Sequence, residues 1–255
     1  MSAFPATYRF HSLREIPSTN LYAMEHVYAG LAVGGDVFFA QQQLAGKGQR
    51  GKKWHSEPGE SILMSVVYDT SRLAPSQSFR LSATVALAGK DFLQKMMGEG
   101  VCIKWPNDLY WRDRKAGGIL IENVLNAGAW KWSVVGIGIN INQKAFPDEL
   151  PNPVSLQMIT GQNYNAEALA QALCGYLEER WQQLMAGNWG NILKEYNEAL
   201  YGRDQIKKLK KGNAVIPCII RRVNDHGVLI AGESEEWQFE HGEIEWMIPV
   251  PDSDL

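Results

Sequence analysis

The chain has 255 residues, 45% of them hydrophobic, with nine tryptophans and a formal charge of −3. This is enough apolar material for one large domain, or for a main domain followed by a small module, and it excludes a disordered or globally basic protein. Contact with phosphates or nucleic acid must therefore be local. Cys102, Cys174 and Cys218 are widely separated among apolar neighbours, which reads as buried thiols rather than a disulfide framework or zinc ribbon. No two of the five histidines have metal-motif spacing. The N-terminal residues have no apolar signal run, and no stretch approaches the ~18 apolar residues of a membrane span. The expected compartment is the cytoplasm.

Pro17-Ser18-Thr19-Asn20 opens the first predicted helix, with Leu21, Met24, Tyr28 and Leu31 at helical spacing and Gly30 as its stop. GDVFFAQQQ reads as a strand, GKGQRGKKW from Gly46 to Trp54 as a loop, and SILMSVVYD as a second strand. A long amphipathic helix follows through Phe79, Val85, Leu87, Phe92 and Met96. From Val101 the pattern changes to strands in series, VCIKW, DLYW, GGILIENV and WKWSVVGIGININ, with short turns that imply antiparallel pairing. FPDELPNPVS is a proline-rich loop. Leu169, Leu173, Tyr176, Leu177, Trp181 and Leu184 then mark a further amphipathic helix, and ILKEYNEAL a short one ending near Gly202.

Beyond Gly202 the chain turns to short strands: AVIPCIIRRV, VLIA, EEWQFE and GEIEWMI. They suit a small β-barrel, giving a main domain over residues 1–202 and a module over 203–255. IKKLKK, with Lys207, Lys208, Lys210 and Lys211, reads as a solvated turn entering that barrel or as a patch steering an acidic partner.

Two segments concentrate chemistry. The Gly46–Trp54 loop places three glycines among Lys47, Arg50, Lys52 and Lys53, so backbone N–H groups and cations can approach a phosphate or carboxylate. It is not a P-loop, because Gly51-Lys52 is followed by Lys53 rather than Ser or Thr; taken alone it is equally a solvated basic hairpin or a nucleic-acid contact. In KWPND, Pro106 stiffens a turn presenting Asn107 and Asp108, whose carboxylate oxygens suit Mg²⁺. Lys115 and Gly117-Gly118 follow one hairpin later. GIGIN, Gly136 to Asn140, lacks the third glycine and the helix of a dinucleotide fingerprint and reads better as a strand with a bare face on which a flat base can lie.

Together the SerThrAsn turn, GKGQRGKKW, KWPND with Lys115 and GGIL, and GIGIN resemble the biotin protein ligase family in order and spacing over nearly the whole chain. The resemblance implies an α+β fold: a mixed sheet with flanking helices like that of class II aminoacyl-tRNA synthetases, and a small C-terminal SH3-like barrel. It implies ATP-dependent formation of biotinyl-5′-AMP and transfer of biotin to a lysine of a biotin carboxyl carrier protein, part of a biotin-dependent carboxylase. By the family pattern, Lys115 and Arg50 are catalytic. Biotin is held by Ser18, Thr19, Asn20, Gln43, Gly46, Lys47, Gly48, Gln49, Lys115 and Gly118. The adenylate is held by Arg50, Lys52, Trp54, Asn107, Gly138 and Asn140, and Mg²⁺ by Asp108.

The cations have a physical purpose. Two anions at about 4 Å repel by roughly 4 kcal/mol at an effective dielectric of 20, and adenylation must press a carboxylate against a phosphate. Gln49 departs from the pattern, standing where many relatives carry arginine, which predicts looser adenylate retention. The SerThrAsn turn begins at Ser18, which leaves no room for the N-terminal DNA-binding domain of some relatives; no DNA or membrane partner is expected, and the chain is expected to be a monomer or homodimer. The alternatives are a lipoate or octanoate ligase on the same fold and a non-enzymatic nucleic-acid-binding protein.

Overall fold

The computed structural model describes residues 7–248, except 127, 151 and 234 and the side chain of Arg50. Its centre is a seven-stranded mixed sheet built from β1 (Arg9–Ile16), β2 (Asp36–Gln43), β3 (Ser61–Asp69), β4 (Val101–Lys104), β5 (Asp108–Trp111), β6 (Arg114–Asn126) and β7 (Ala129–Asn140). The order is β1-β2-β3-β7-β6-β5-β4. Only the β1–β2 pair is parallel, and the serial strands from β4 to β7 pair antiparallel as their short turns require.

Helices cover both faces of this sheet, which explains the unbroken apolar runs of β2 and β3. Alternate side chains divide between two layers. Val37, Phe39, Met64, Val66 and Val135 join the main core under α2 (Ser78–Met97) and α4 (Ala166–Met185), whereas Phe38, Val67 and Val134 meet α1 (Thr19–Tyr28) on the opposite face. The short α3 (Leu156–Thr160) and α5 (Trp189–Glu198) complete the helical layer.

The first helix lies where its SerThrAsn start placed it, with Ser18 as N-cap accepting from Leu21 N. Its buried face, however, is Thr19, Asn20, Ala23 and Val27. Leu21, Tyr28 and Leu31, taken from spacing as the apolar face, are exposed, Tyr28 by 72%. The helix turns its polar first residues inward because they are satisfied there by side chains of other strands, a pairing that periodicity does not encode.

Two strands escaped the sequence reading. β1 is an edge strand whose side chains are mostly exposed, so RFHSLREI has no need of apolar alternation. β8 (Ile206–Lys211) is the IKKLKK segment, a strand rather than a turn. It pairs with β9 (Ala214–Val223) and β12 (Glu245–Met247), and the sheet continues through β10 (Leu229–Ala231) to β11 (Trp237–Phe239). This five-stranded antiparallel sheet has β11 and β12 as its outer members. Its lysines divide by strand alternation: Lys207 lies over the Tyr201 ring at 4.5 Å and Lys211 reaches Glu243 at 3.2 Å, while Lys208 is exposed.

The two sheets share one continuous apolar core that includes Leu209, Ile220 and Leu229. Polar ties reinforce the junction. Fully buried Trp105 donates its indole N–H to Gly227 O at 2.9 Å, Trp189 donates to Asp225 at 2.6 Å, and Asn197 exchanges hydrogen bonds with the Val223 backbone. The KWPND turn is thereby anchored to the five-stranded sheet, which sets the C-terminal turns beside the chemistry-bearing segments.

Candidate active site

A cleft of about 750 Å³ opens between α1, the glycine-rich loop, the KWPND turn, the middle of β6 and β7, and the turn before β12. Its lining includes Ser18, Thr19, Asn20, Gln43, Lys47, Gly48, Gln49, Lys52, Trp54, Asn107, Asp108, Lys115, Gly118, Gly138 and Asn140. The fold thus brings together segments more than a hundred residues apart. Gly46 sits behind this lining, where a Cβ would stand 2.5 Å from Trp54 O. The Arg50 side chain, expected to be catalytic, lies outside the described residues.

The charged centre is built on adjacent strands. β4 pairs Lys104 with Asp108 of β5, and β5 pairs Asp108 with Gly118 of β6. One Asp108 oxygen is 2.7 Å from Lys104 Nζ and the other 2.7 Å from Lys115 Nζ. Burial opposes the Asp108 charge, but the Lys115 and Lys104 ammoniums outweigh it and hold the carboxyl below the usual carboxylate range. Lys115 is still one-third exposed to the cleft. An ammonium has three donors, so Lys115 keeps capacity to bind an anion while its position is set by Asp108.

In this structure the Asp108 carboxylate, expected from the sequence to hold Mg²⁺, is engaged by two lysines. Both its oxygens are taken by ammonium groups, and among the described residues no cluster of three His, Cys, Asp or Glu side chains fits a metal ion. Asp108 neutralises Lys104 and Lys115 and fixes their positions.

The asparagines and glycines of these motifs have partners within the protein. Asn107 donates its side-chain amide to Ile119 O, and Asn140 donates to Lys115 O at 3.3 Å and Val154 O at 3.1 Å. Both amide donors therefore stitch the backbone around Lys115. The bare face of GIGIN is filled by the protein itself. A Cβ at Gly136 would fall 2.2 Å from Asn20 Oδ1, and one at Gly138 would fall 2.7 Å from the Trp54 ring. A planar group at Gly138 would meet the Trp54 indole, not the strand.

At the other end of the cleft the polar side chains form a connected chain. Gln43 Oε1 accepts from Thr19 N at 2.7 Å and Thr19 Oγ1 at 3.0 Å, and Ser65 Oγ lies 2.7 Å from Thr19 Oγ1 and 2.6 Å from Asn20 Oδ1. The glycine-rich loop closes one flank as a narrow hairpin: Lys47 bridges to Lys53, and Gly48 N donates to Lys52 O at 2.7 Å. Gln49 reaches across to His241 Nε2 at 3.0 Å, and His241 stands edge-on to Trp105. Sequence reasoning missed Lys104, Ser65 and His241 as site residues. Lys104 was legible in principle, four residues before Asp108 in the same motif; nothing in the sequence pairs Gln49 with His241.

Residues 12–140 match the pattern of the biotin/lipoate A/B protein ligase family. The biotin–[acetyl-CoA-carboxylase] ligase of Paracoccus denitrificans is 32% identical, over 86% of this chain and 92% of that protein. The chain belongs to this family. The bifunctional ligase/repressor BirA of Escherichia coli is 34% identical over 84% of this chain, which spans 66% of that protein's length. Among solved structures, the biotin protein ligase of Aquifex aeolicus in complex with biotin and ATP shares the fold, with a TM-score of 0.79 at 22% identity, covering 94% of this chain and 99% of that one. In this family member the mixed sheet and the five-stranded C-terminal sheet both have counterparts in that fold.

Proposed function

We propose that this protein is an ATP-dependent biotin protein ligase. It joins biotin to AMP and then transfers the biotinyl group to a lysine of a carrier domain belonging to a biotin-dependent carboxylase. The observation that carries the reading is the meeting, in one cleft, of a connected chain of polar side chains suited to a ureido ring and a lysine centre suited to two anions.

In the first step a carboxylate oxygen of biotin attacks the α-phosphorus of ATP and pyrophosphate leaves. Lys115, preset by Asp108, offsets the repulsion between the two anions and is in place before the charge develops, so little reorganisation is required. Lys47 and Lys52 bring further positive charge when the loop covers the phosphates. Mg²⁺ enters as part of the ATP complex. In the second step the carrier amine attacks the acyl carbon of the mixed anhydride, AMP departs, and the amine loses a proton as the amide forms. Covering the adenylate with the Gly46–Trp54 hairpin keeps water from this hydrolysable intermediate.

Specificity follows from the polar end of the cleft. A ureido group satisfies donors and acceptors together, whereas lipoate would leave the same buried groups unpaired. The reading is tested by ATP–pyrophosphate exchange with biotin, lipoate or no acid: exchange with biotin alone is expected. Exchange with lipoate would move the protein to the other branch of its family, and exchange with neither would sink the ligase reading.

A further inference from the structure

Asn20 is held on several sides in the cleft. It is 3% exposed and packs on one cross-strand row, Ser65 of β3, Gly136 of β7 and Leu120 of β6. Its Nδ2 donates to Glu122 Oε2 at 2.8 Å and to Leu120 O at 3.3 Å, and its Oδ1 receives the fully buried Ser65 hydroxyl at 2.6 Å. Leu120 and Glu122, two apart on β6, point to the same face, as strand alternation requires.

An amide in a polar pocket can present either its oxygen or its nitrogen, and a ligand detects the difference. Here the choice is made behind the side chain. A carboxylate only accepts, and so does a backbone carbonyl, so Glu122 and Leu120 consume both Asn20 amide hydrogens. What Asn20 has left for a ligand is the second lone pair of Oδ1.

We infer that Glu122 is a positioning residue for ligand recognition, fixing the polarity of the Asn20 amide so that the cleft presents an acceptor to a ligand N–H group. The ligand chemistry selected is a cyclic urea or another ring N–H donor. The inference rests on the biotin reading above, in which the ureido N–H is that donor. Glu122 itself does not touch the substrate. Ser65 assists from the other side, and Gly136 provides the space in which the amide lies.

The test is Glu122→Gln, which keeps the size of the side chain. Its amide can supply either donor or acceptor, so Asn20 is free to turn over and oppose the ligand N–H with its own. The full chain is assayed by biotin-dependent ATP–pyrophosphate exchange with biotin and ATP varied separately, beside thermal unfolding. We expect the KM for biotin to rise about tenfold, the loss of one buried polar match, with the KM for ATP and the unfolding temperature close to the parent's. In an Asn20→Ala background the same substitution should add nothing, because Glu122 acts only through Asn20. An unchanged biotin KM, a parallel rise in both KM values, or an equal effect in the Asn20→Ala background would overturn the assignment. Failure of the parent protein to use biotin is a separate result, which would remove the ligase reading itself.

Discussion

The lysines of the β4–β6 hairpins and the lysines of the glycine-rich loop face the same cleft but are held in opposite ways. Lys104 and Lys115 stand on strands that both pair with β5, share one partly buried carboxylate and are mostly covered. Lys47, Lys52 and Lys53 are exposed, have no carboxylate partner among the described residues, and are placed by backbone bridges and by one contact from Gln49 to the C-terminal turn. The contrast separates two demands of the chemistry. Charge that must meet a transition state works best when fixed beforehand, whereas charge that must cover a nucleotide has to move aside for entry and release.

The sharpest way to break this comparison is at the fixed centre. Lys115→Ala should lower biotin-dependent adenylation by about 10²–10³-fold, the scale of removing one preorganised charge from a transition state. The protein should remain folded, because Asp108 keeps Lys104. Near-parental exchange rates would show that the cations of the loop suffice.

Asp108→Asn should cost about 2 kcal/mol of stability, below the range for a fully buried pair because Lys115 is partly exposed. Since the folded Asp108 carboxyl is held below its ordinary value, this contribution is fully present above the unfolded carboxylate pKa of about 3.9 and is lost as pH falls through the depressed folded value. Chemical denaturation should therefore show a constant gap between parent and variant from pH 5 to pH 8 on the order of that cost, narrowing only below about pH 4. The Mg²⁺ dependence of exchange should not shift in Asp108→Asn if its work is to place the lysines; a steeply raised Mg²⁺ requirement would assign Asp108 the metal-ligand role.

At the loop side the effects are smaller. His241→Ala should speed tryptic cleavage within the Gly46–Trp54 loop by a few-fold, since one exposed hydrogen bond is worth about 1 kcal/mol, and biotin with ATP should suppress cleavage in both proteins. Gln49→Arg should slow release of the adenylate relative to the parent. Smallest of all is the expected response of the rigid side to thiol reagents. Burial pushes the Cys102 and Cys174 thiols up to about 12, so the native protein should react slowly at pH 8 under conditions in which the loop is readily cut.

The cleft was legible to the extent that its parts are contiguous. Lys115, Asp108, Gln43 and the SerThrAsn turn belong to short segments whose composition exceeds what a strand or helix needs, and each of them lines the cleft. β3 and α2 were equally legible, because their apolar patterns are strong and locally consistent. The edge strand β1 and the lysine-rich β8 were not, since their side chains are largely in contact with solvent, which tolerates polar residues there.

By itself, then, the amino-acid sequence determined which residue types are available, where most of the regular elements lie, and the resemblance that points to biotin and ATP. Tertiary structure decided what those residues do to one another. It turned the polar side of α1 inward, set Asp108 between two lysines, laid Trp54 on Gly138, and backed Asn20 with Ser65 and Glu122 from strands 45 and 102 residues away. The physical reason is that apolar periodicity is a local property of the chain. The polarity of a buried amide or the ligand of a carboxylate is settled by whichever distant group the strand register places within 3 Å.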